Sequence, residues 1–166
     1  MKFVLLLAVL AASSARAERS WQVEPGQALV TVDGPAFSAF SHRVTGTLTE
    51  LDDGLVRLEL KLPIASLTTG DARQDRRAVR QGEAVFEGVA KGGGDTLHFV
   101  GTLGLHGVSR PLLLDVVVSR TPAGLIAHTA TVLRLRDYGV DLKSDAARIE
   151  VDARLRRPGA VAASRG

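Results

Sequence analysis

Several stretches of this chain alternate between apolar and polar side chains with a period of two. The alternation is strict in residues 56–62 and 149–156, where aliphatic residues alternate with charged ones. Because successive side chains of a strand point to opposite faces of a sheet, each stretch predicts an antiparallel strand with one face in the core and the other in water. The chain is thereby restricted to sheet-based folds.

Further segments have strand composition and are bounded by Gly, Pro or Asp. They are residues 28–32, 40–50, 84–90, 97–105, 112–118 and 125–136. About eight strands with short turns favour an all-β fold, a single antiparallel barrel or sandwich. Residues 112–118 are apolar except for Asp115, which predicts a strand with both faces covered or one at a barrel closure. The helical candidate is residues 71–81, with Thr69 or Asp71 as N-cap.

The N-terminus has the pattern of a signal peptide. Lys2 precedes an apolar run at residues 3–12, and Ala15-Arg16-Ala17 has the small-x-small form of a cleavage site. We therefore expect residues 1–17 to be removed and the protein to be exported to the periplasm or secreted. An uncleaved anchor is the alternative, although the run is shorter than the ~20 residues that span a bilayer. No other stretch is long enough to span. Residues 18–156 then form one domain, and residues 157–166 are expected to be a disordered tail.

Charge and cysteine content exclude several classes of protein. The chain has 21 Lys and Arg against 18 Asp and Glu, and the leader contains Lys2 and Arg16 but no acidic residue. The mature chain is thus nearly neutral and lacks the basic surface that a nucleic-acid-binding protein needs. There is no cysteine, so neither disulfides nor an acylated-cysteine anchor is expected.

The residues that could carry chemistry form no recognisable catalytic or metal-binding pattern. The chain has no Gly-x-Ser-x-Gly motif. His98 and His106 lie eight residues apart in one predicted extended segment, roughly 27 Å if it is straight, which is too far for a shared ion. His42 and His128 could approach from different strands, but the sequence places no ligating carboxylate or thiolate with them. We predict no catalytic residues and no metal ligands, and an enzyme is the minority hypothesis.

One motif stands out, at residues 101–111, which read Gly-Thr-Leu-Gly-Leu-His-Gly-Val-Ser-Arg-Pro and lead into an apolar strand. This motif resembles the signature of the YceI-like family, Gly-x-Leu-x-Leu-(His/Arg)-Gly-Val-(Thr/Ser)-Arg-Pro. Weaker matches follow the family's order at residues 21–25, 65–70 with the arginines after them, and 136–140. Together they cover most of residues 20–156.

The resemblance implies a lipocalin-like antiparallel barrel in the periplasm that binds a long isoprenoid chain, such as a polyprenyl phosphate or a quinone tail, without catalysis. No other cofactor is implied. Residues 80–86 pass almost directly from the arginine-rich loop into a strand, whereas the family has a longer segment there. Because that segment flanks the pocket mouth in the family, its shortness favours a different entrance in this chain.

The candidate ligand-binding residues are the large apolar residues of the predicted inward faces, together with residues nearer an opening. The wall candidates are Leu58, Leu60, Leu62, Phe86, Phe99, Leu103 and Leu105, and those nearer an opening are Phe37, Phe40, His42 and Tyr138. For any single one of them an ordinary core position is the favoured interpretation, since an eight-stranded barrel can be filled by its own side chains. A filled β domain acting as a partner-binding or envelope stress protein is therefore the alternative function. A monomer and a homodimer are both left open.

Overall fold

The computed structural model describes residues 18–77, 82–140 and 146–159. The predicted leader, the last four residues of the predicted helix and most of the predicted tail lie outside these residues. The described part contains nine strands, two 3-10 turns (Ile64–Ser66 and Leu135–Tyr138) and one short helix, α1 (Ala72–Arg77). The strands are β1 (Arg19–Gly34), β2 (Phe37–Ser41), β3 (Thr45–Glu50), β4 (Leu55–Pro63), β5 (Glu83–Lys91), β6 (Thr96–Leu105), β7 (Val108–Thr121), β8 (Gly124–Arg134) and β9 (Ala146–Arg156).

The strands close into an antiparallel barrel. From β3 onward each strand pairs with the next, and β9 returns to pair with β1. β2 and β3 both pair with β1, through Val30–Gly34 and Arg19–Gln22 respectively, so they act as one interrupted strand. The barrel therefore has eight strands around its circumference, which confirms the predicted fold class. The predicted single strand at 40–50 is broken at residues 42–44.

Side-chain burial follows the predicted alternation. Inward positions such as Leu58, Phe86 and Leu155 are buried, and Phe99 is the most enclosed large side chain, at 1% exposure. The expectation that both faces of residues 112–118 are covered is wrong. Leu114 and Val116 point inward and are buried, but Leu113 and Val117 are exposed on the outside, because no described element packs over this strand.

One end of the barrel, which we call the Trp21 end, holds the start of β1 and the turns after β3, β5 and β7. Trp21 is buried there, and the guanidinium groups of Arg120 and Arg157 lie 5.6 and 5.9 Å from its ring centroid. At this range a cation is attracted to the ring face, so the two arginines hold the indole in place. Arg120 also forms an ion pair with Glu50.

The opposite end, which we call the Tyr138 end, holds the connection from β4 to β5 and the turn Leu135–Tyr138. Phe40 of β2 and Thr68 exchange two backbone hydrogen bonds of 2.8 and 2.9 Å, so this connection adds a bridge beside β2. Helix α1 follows Asp71, whose carboxylate accepts the Arg73 N–H at 2.8 Å, as an N-cap does. No helix among the described residues is long and apolar enough to cross a membrane.

Candidate functional site

A void of about 100 Å³ lies inside the barrel, in the half nearer the Tyr138 end. It is partly open, and its wall is formed by inward side chains from most of the strands and by the residue that follows the break at 42–44. The residues that line it are Val30, Val44, Leu60, Lys61, Leu62, Ala84, Phe86, Leu103, Leu112, Leu114, Thr129, Thr131, Ile149 and Val151. The strands place these side chains together because inward positions of neighbouring strands stack in layers inside a barrel.

The chemistry of this void is almost wholly apolar. Its polar members are Lys61, which is exposed on the outer side, and two threonines. The Thr129 hydroxyl is already used, because it donates a 2.6 Å hydrogen bond to the Asp115 carbonyl oxygen. Among the described residues, no buried side-chain nitrogen or oxygen lacks a hydrogen-bond partner. The void therefore suits hydrocarbon, whose burial gains about 25 cal/mol per Å² of apolar surface.

A second, smaller void of about 20 Å³ lies deeper in the barrel. The two voids share three wall residues, Leu60, Thr129 and Val151. The two voids therefore adjoin each other at these three side chains. Towards the Trp21 end, Leu48 separates the small void from an outer depression of about 610 Å³, whose lining is mixed and includes Arg19, Glu50, Asp52 and Arg120.

The size of the larger void sets a limit on what it holds without rearrangement. An engineered apolar cavity of about 150 Å³ accommodates one benzene molecule. At about 100 Å³ the void is smaller than that. A chain of several isoprene units consequently requires wall side chains to change rotamer or strands to move apart.

The structure divides the candidate residues from the sequence into three groups. Leu60, Leu62, Phe86 and Leu103 line the larger void, and Leu58 joins Leu60 at the smaller one. A second group packs in or against the core without lining either void, and consists of Phe37, Phe99, Leu105 and Tyr138.

The third group, Phe40 and His42, is exposed near the break between β2 and β3. Their rings meet edge to face with centroids 6.2 Å apart, and His42 Nδ1 lies 2.9 Å from the Ala28 carbonyl oxygen.

Much of the wall is absent from the candidates drawn from the sequence. The additional residues are mostly small or β-branched: Val30, Val44, Ala84, Leu112, Leu114, Thr129, Thr131, Ile149 and Val151. The apolar–polar alternation of the sequence could have identified some of these wall residues, since Ile149 and Val151 occupy the apolar positions of an alternating strand. The choice of large residues as wall residues misses these positions, because a void forms where side chains are too small to meet.

Tyr138 is the titratable group whose environment is most altered among the described residues. Burial raises the pKa of its phenol, and the neighbouring Asp137 carboxylate raises it further, while the Arg110 guanidinium lowers it. Tyr138 therefore remains neutral around pH 7, as a buried phenol should. Gly139, which follows it, adopts a left-handed φ of 69° and ends the 3-10 turn.

Two histidines form pairs with carboxylates on the outer surface. His98 Nδ1 lies 2.7 Å from Asp115 Oδ1, and His128 Nδ1 lies 2.8 Å from Asp152 Oδ1. Glu150 also lies within reach of the second pair, and Arg148 approaches it at 3.4 Å. His128 thus has carboxylate neighbours that the sequence did not place beside it, because they come from the adjacent strand. None of these histidines and carboxylates lines the larger void, and His128 contributes to the lining of the smaller one.

Comparison with known proteins gives one family and several structures of similar fold. The family model for the YceI-like domain matches residues 21–156. The crystal structure of BcnA from Burkholderia cenocepacia is similar, with a TM-score of 0.70, 13% identity, and coverage of 79% of this chain and 98% of BcnA.

A polyisoprenoid binding domain from Saccharophagus degradans, implicated in plant cell wall breakdown, has a TM-score of 0.66 and 12% identity over 84% of this chain and 99% of that domain. A mutant CJ YCEI protein has a TM-score of 0.57 and 13% identity over 76% of this chain and 83% of that one. No curated protein matches the chain by sequence. At these identities the likeness of the structures extends to the fold alone.

Proposed function

Because this chain belongs to the YceI-like domain family, we propose that its barrel binds the hydrocarbon chain of an isoprenoid lipid or a quinone and performs no catalysis. The observation that carries the proposal is the void of about 100 Å³, whose wall is aliphatic and aromatic apart from two threonines and the edge residue Lys61. A similarly folded protein is a polyisoprenoid binding domain, which supports the same class of ligand.

The energy for binding comes from burial of the ligand chain. About 10 methylene groups at ~0.8 kcal/mol each contribute ~8 kcal/mol before ordering costs, which corresponds to roughly micromolar affinity. Longer chains contribute more. Leu60 is the largest of the three side chains that the two voids share, so its movement would add space for a longer chain.

We also propose that the protein acts after export. Residues 1–17 have the charge, the apolar run and the small-x-small site of a leader, and cleavage after Ala17 leaves Glu18 as the first residue. The intact mass of protein recovered from a bacterial periplasmic extract should correspond to a chain beginning at Glu18. Recovery of the full-length chain from the membrane fraction would contradict this proposal.

The binding proposal is tested by organic extraction of the exported protein and mass spectrometry of the extract. We expect an isoprenoid lipid in an amount comparable to the protein. The variant Val151→Phe places a larger ring in the wall that both voids share, and it should lose the lipid while remaining folded. The matched control is Val117→Phe, whose side chain is exposed on the outside of the barrel, and it should retain the lipid.

The second candidate is a filled β domain that acts through a partner protein or in envelope stress. The small size of the void favours it, because a chain does not fit without rearrangement. This candidate predicts that the extract contains no lipid and that a prenyl alcohol added to the purified protein shows no saturable binding. That pair of results would overturn the isoprenoid proposal.

A further inference from the structure

The β7 and β8 strands are paired along only half of their length. Their ladder joins residues 116–121 to residues 124–129 and ends there. The remaining part of β7, residues 108–115, pairs with β6 alone, and residues 130–134 of β8 pair with β9 alone. Within the described residues, the barrel wall thus has an unpaired seam between the first half of β7 and the second half of β8.

The backbone of β7 at this seam is suited to remain unpaired. The Val118 N–H donates to the Asp95 carbonyl oxygen on the β6 side, at 2.7 Å. Because backbone groups alternate in direction along a strand, the odd-numbered residues of β7 face β8, and these include Pro111 and Leu113. Proline has no N–H to donate, so the seam lacks one of the donors that a ladder would require there.

Two hydrogen bonds mark the limits of the seam. At the inner limit the Thr129 hydroxyl donates to the Asp115 carbonyl oxygen at 2.6 Å, and at the outer limit the Arg110 Nε donates to the Asp137 carbonyl oxygen at 3.2 Å. The segment of β7 between Arg110 and Asp115 spans roughly 17 Å at the usual strand rise. The seam is therefore a window with closed ends, which we call the β7–β8 window.

The window is apolar on both faces. On the inside, Leu112 and Leu114 of β7 and Thr131 of β8 line the larger void. On the outside, Leu113 is 72% exposed and Val132 is 64% exposed. The register in which Val116 faces Thr129, continued along the strands, places Leu113 opposite Val132. In the middle of the window, a hydrocarbon chain would pass between Leu113 and Val132 on the outside and would reach the largely apolar wall of the void on the inside.

Three other routes into the void meet specific obstacles. At the Trp21 end, the buried side chain of Leu48 lies between the outer depression and the voids, so entry there must displace core residues. A second interruption of the wall that borders the void, between β2 and the end of β4, is bridged by the backbone hydrogen bonds between Phe40 and Thr68. The β6–β7 and β8–β9 ladders are continuous, so separation of those strands would break backbone hydrogen bonds. Parting β7 from β8 within the window breaks no ladder bond.

We propose that the hydrocarbon ligand enters and leaves the barrel sideways through the β7–β8 window, as β7 and β8 move apart. This inference rests on the proposed function, since it assigns a route to the same interior site. It also accounts for how a void of about 100 Å³ receives a longer chain, because outward movement of one strand widens the window and enlarges the void together. The short segment after the arginine-rich loop is then not the route of the ligand.

The test is a covalent tether across the window. The chain has no cysteine, so Leu113→Cys with Val132→Cys introduces a unique pair that a short dimaleimide can join. The matched control is Ser119→Cys with Ile126→Cys, which are exposed partners in the paired half of the same two strands. Uptake and release of a fluorescent prenyl alcohol are followed by stopped flow for both pairs, before and after tethering.

We expect tethering at 113 and 132 to slow uptake at least tenfold, and to slow release by a similar factor when the ligand is loaded first. Tethering at 119 and 126 should change both rates less than twofold. Unchanged uptake in the 113–132 tether, or equal slowing in the two tethers, would overturn the window and favour a route through the Tyr138 end. Absence of prenyl alcohol binding to the untethered wild-type chain would instead overturn the proposed function, and the window with it.

Thr129→Val gives a second measurement that needs no tether. The change removes the hydroxyl that bonds to the Asp115 carbonyl oxygen and keeps the shape of the side chain. We expect uptake and release to become severalfold faster, because the hydrogen bond that closes the inner end of the window is lost. Unchanged or slower exchange in a folded Thr129→Val protein would contradict the window.

Discussion

The two halves of this barrel are made from the same nine strands but differ in how completely their interiors are filled, since the depression of about 610 Å³ at the Trp21 end lies beyond Leu48. In the Trp21 half, an indole ring packs beneath two guanidinium groups. In the Tyr138 half, small and β-branched residues leave a void, and β7 and β8 are unpaired beside it. From this difference we expect the Trp21 half to contribute more to stability, while the Tyr138 half contains the larger interior void.

The largest effect should come from Trp21→Ala in the filled half. Loss of the ring leaves a large cavity and removes the support of Arg120, so we expect the free energy of unfolding to fall by about 3–5 kcal/mol. Urea denaturation followed by circular dichroism measures this. A loss below about 1 kcal/mol would mean that Trp21 does not hold the filled half together.

A matched pair on β4 compares the two halves directly. Leu58 is 4% exposed and borders only the smaller void of about 20 Å³, whereas Leu62 is half-buried and lines the larger void. We expect Leu58→Ala to destabilise by about 2–5 kcal/mol and Leu62→Ala by clearly less, since the Leu62 side chain already lacks neighbours on one side. Denaturation of the two variants gives the difference, and equal losses would contradict the division into filled and open halves.

Amide hydrogen exchange should separate the paired and unpaired parts of β7. The N–H groups of Leu113 and Val117 both face β8 by the alternation of the strand, but only Val117 lies within the ladder, where it pairs with His128. We expect the Leu113 amide to exchange at least ten times faster than the Val117 amide, because its exchange needs no strand opening. Similar protection at the two positions would mean that the seam is closed in solution.

The smallest effect concerns alkaline pH. Because burial and Asp137 raise the pKa of the Tyr138 phenol, the folded chain retains this proton where the unfolded chain loses it. The neutral Tyr138 phenol contributes its full stabilisation below about pH 10, the usual pKa of tyrosine, and this contribution is lost as the pH rises through the pKa of Tyr138 in the folded chain. Tyr138→Phe should therefore lose less stability than wild type above about pH 10, measured by thermal unfolding. As the chain has one tyrosine, phenolate absorbance reports this group alone.

The sequence predicts the strands well because each strand's alternation is local. Residues 56–62 and 149–156 show their inward and outward faces directly, and both are strands in the structure. The exposed side chains of Leu113 and Val117 were not predicted, since an apolar run does not tell whether another layer covers it. The break at residues 42–44 and the turn at Leu135–Tyr138 interrupt segments that appear continuous in sequence.

The candidate site is less predictable because it depends on how strands are aligned. The alternation of residues 56–62 predicts that Leu60 and Leu62 point inward. Val30, Thr129 and Ile149 join them in the wall only because distant strands pair. The β7–β8 window is still less predictable from the sequence. It arises because the β7–β8 ladder stops at Val116 and Thr129, and no local pattern at either residue indicates that stop. Pro111 is the one residue near it whose chemistry hints at an unpaired edge.

Closure of the barrel by β1 and β9 has a consequence for how the chain folds. The register that joins Gln22 to Arg156 connects the first and last strands, so it carries nearly the greatest loop-closure entropy available to this domain. We expect this pairing to form late and folding to be slow, with two free edges exposed until it forms. Until then the edge of β9 is unpaired. Its outward side chains are charged, and they oppose pairing of this edge with another molecule; they are Arg148, Glu150, Asp152 and Arg154.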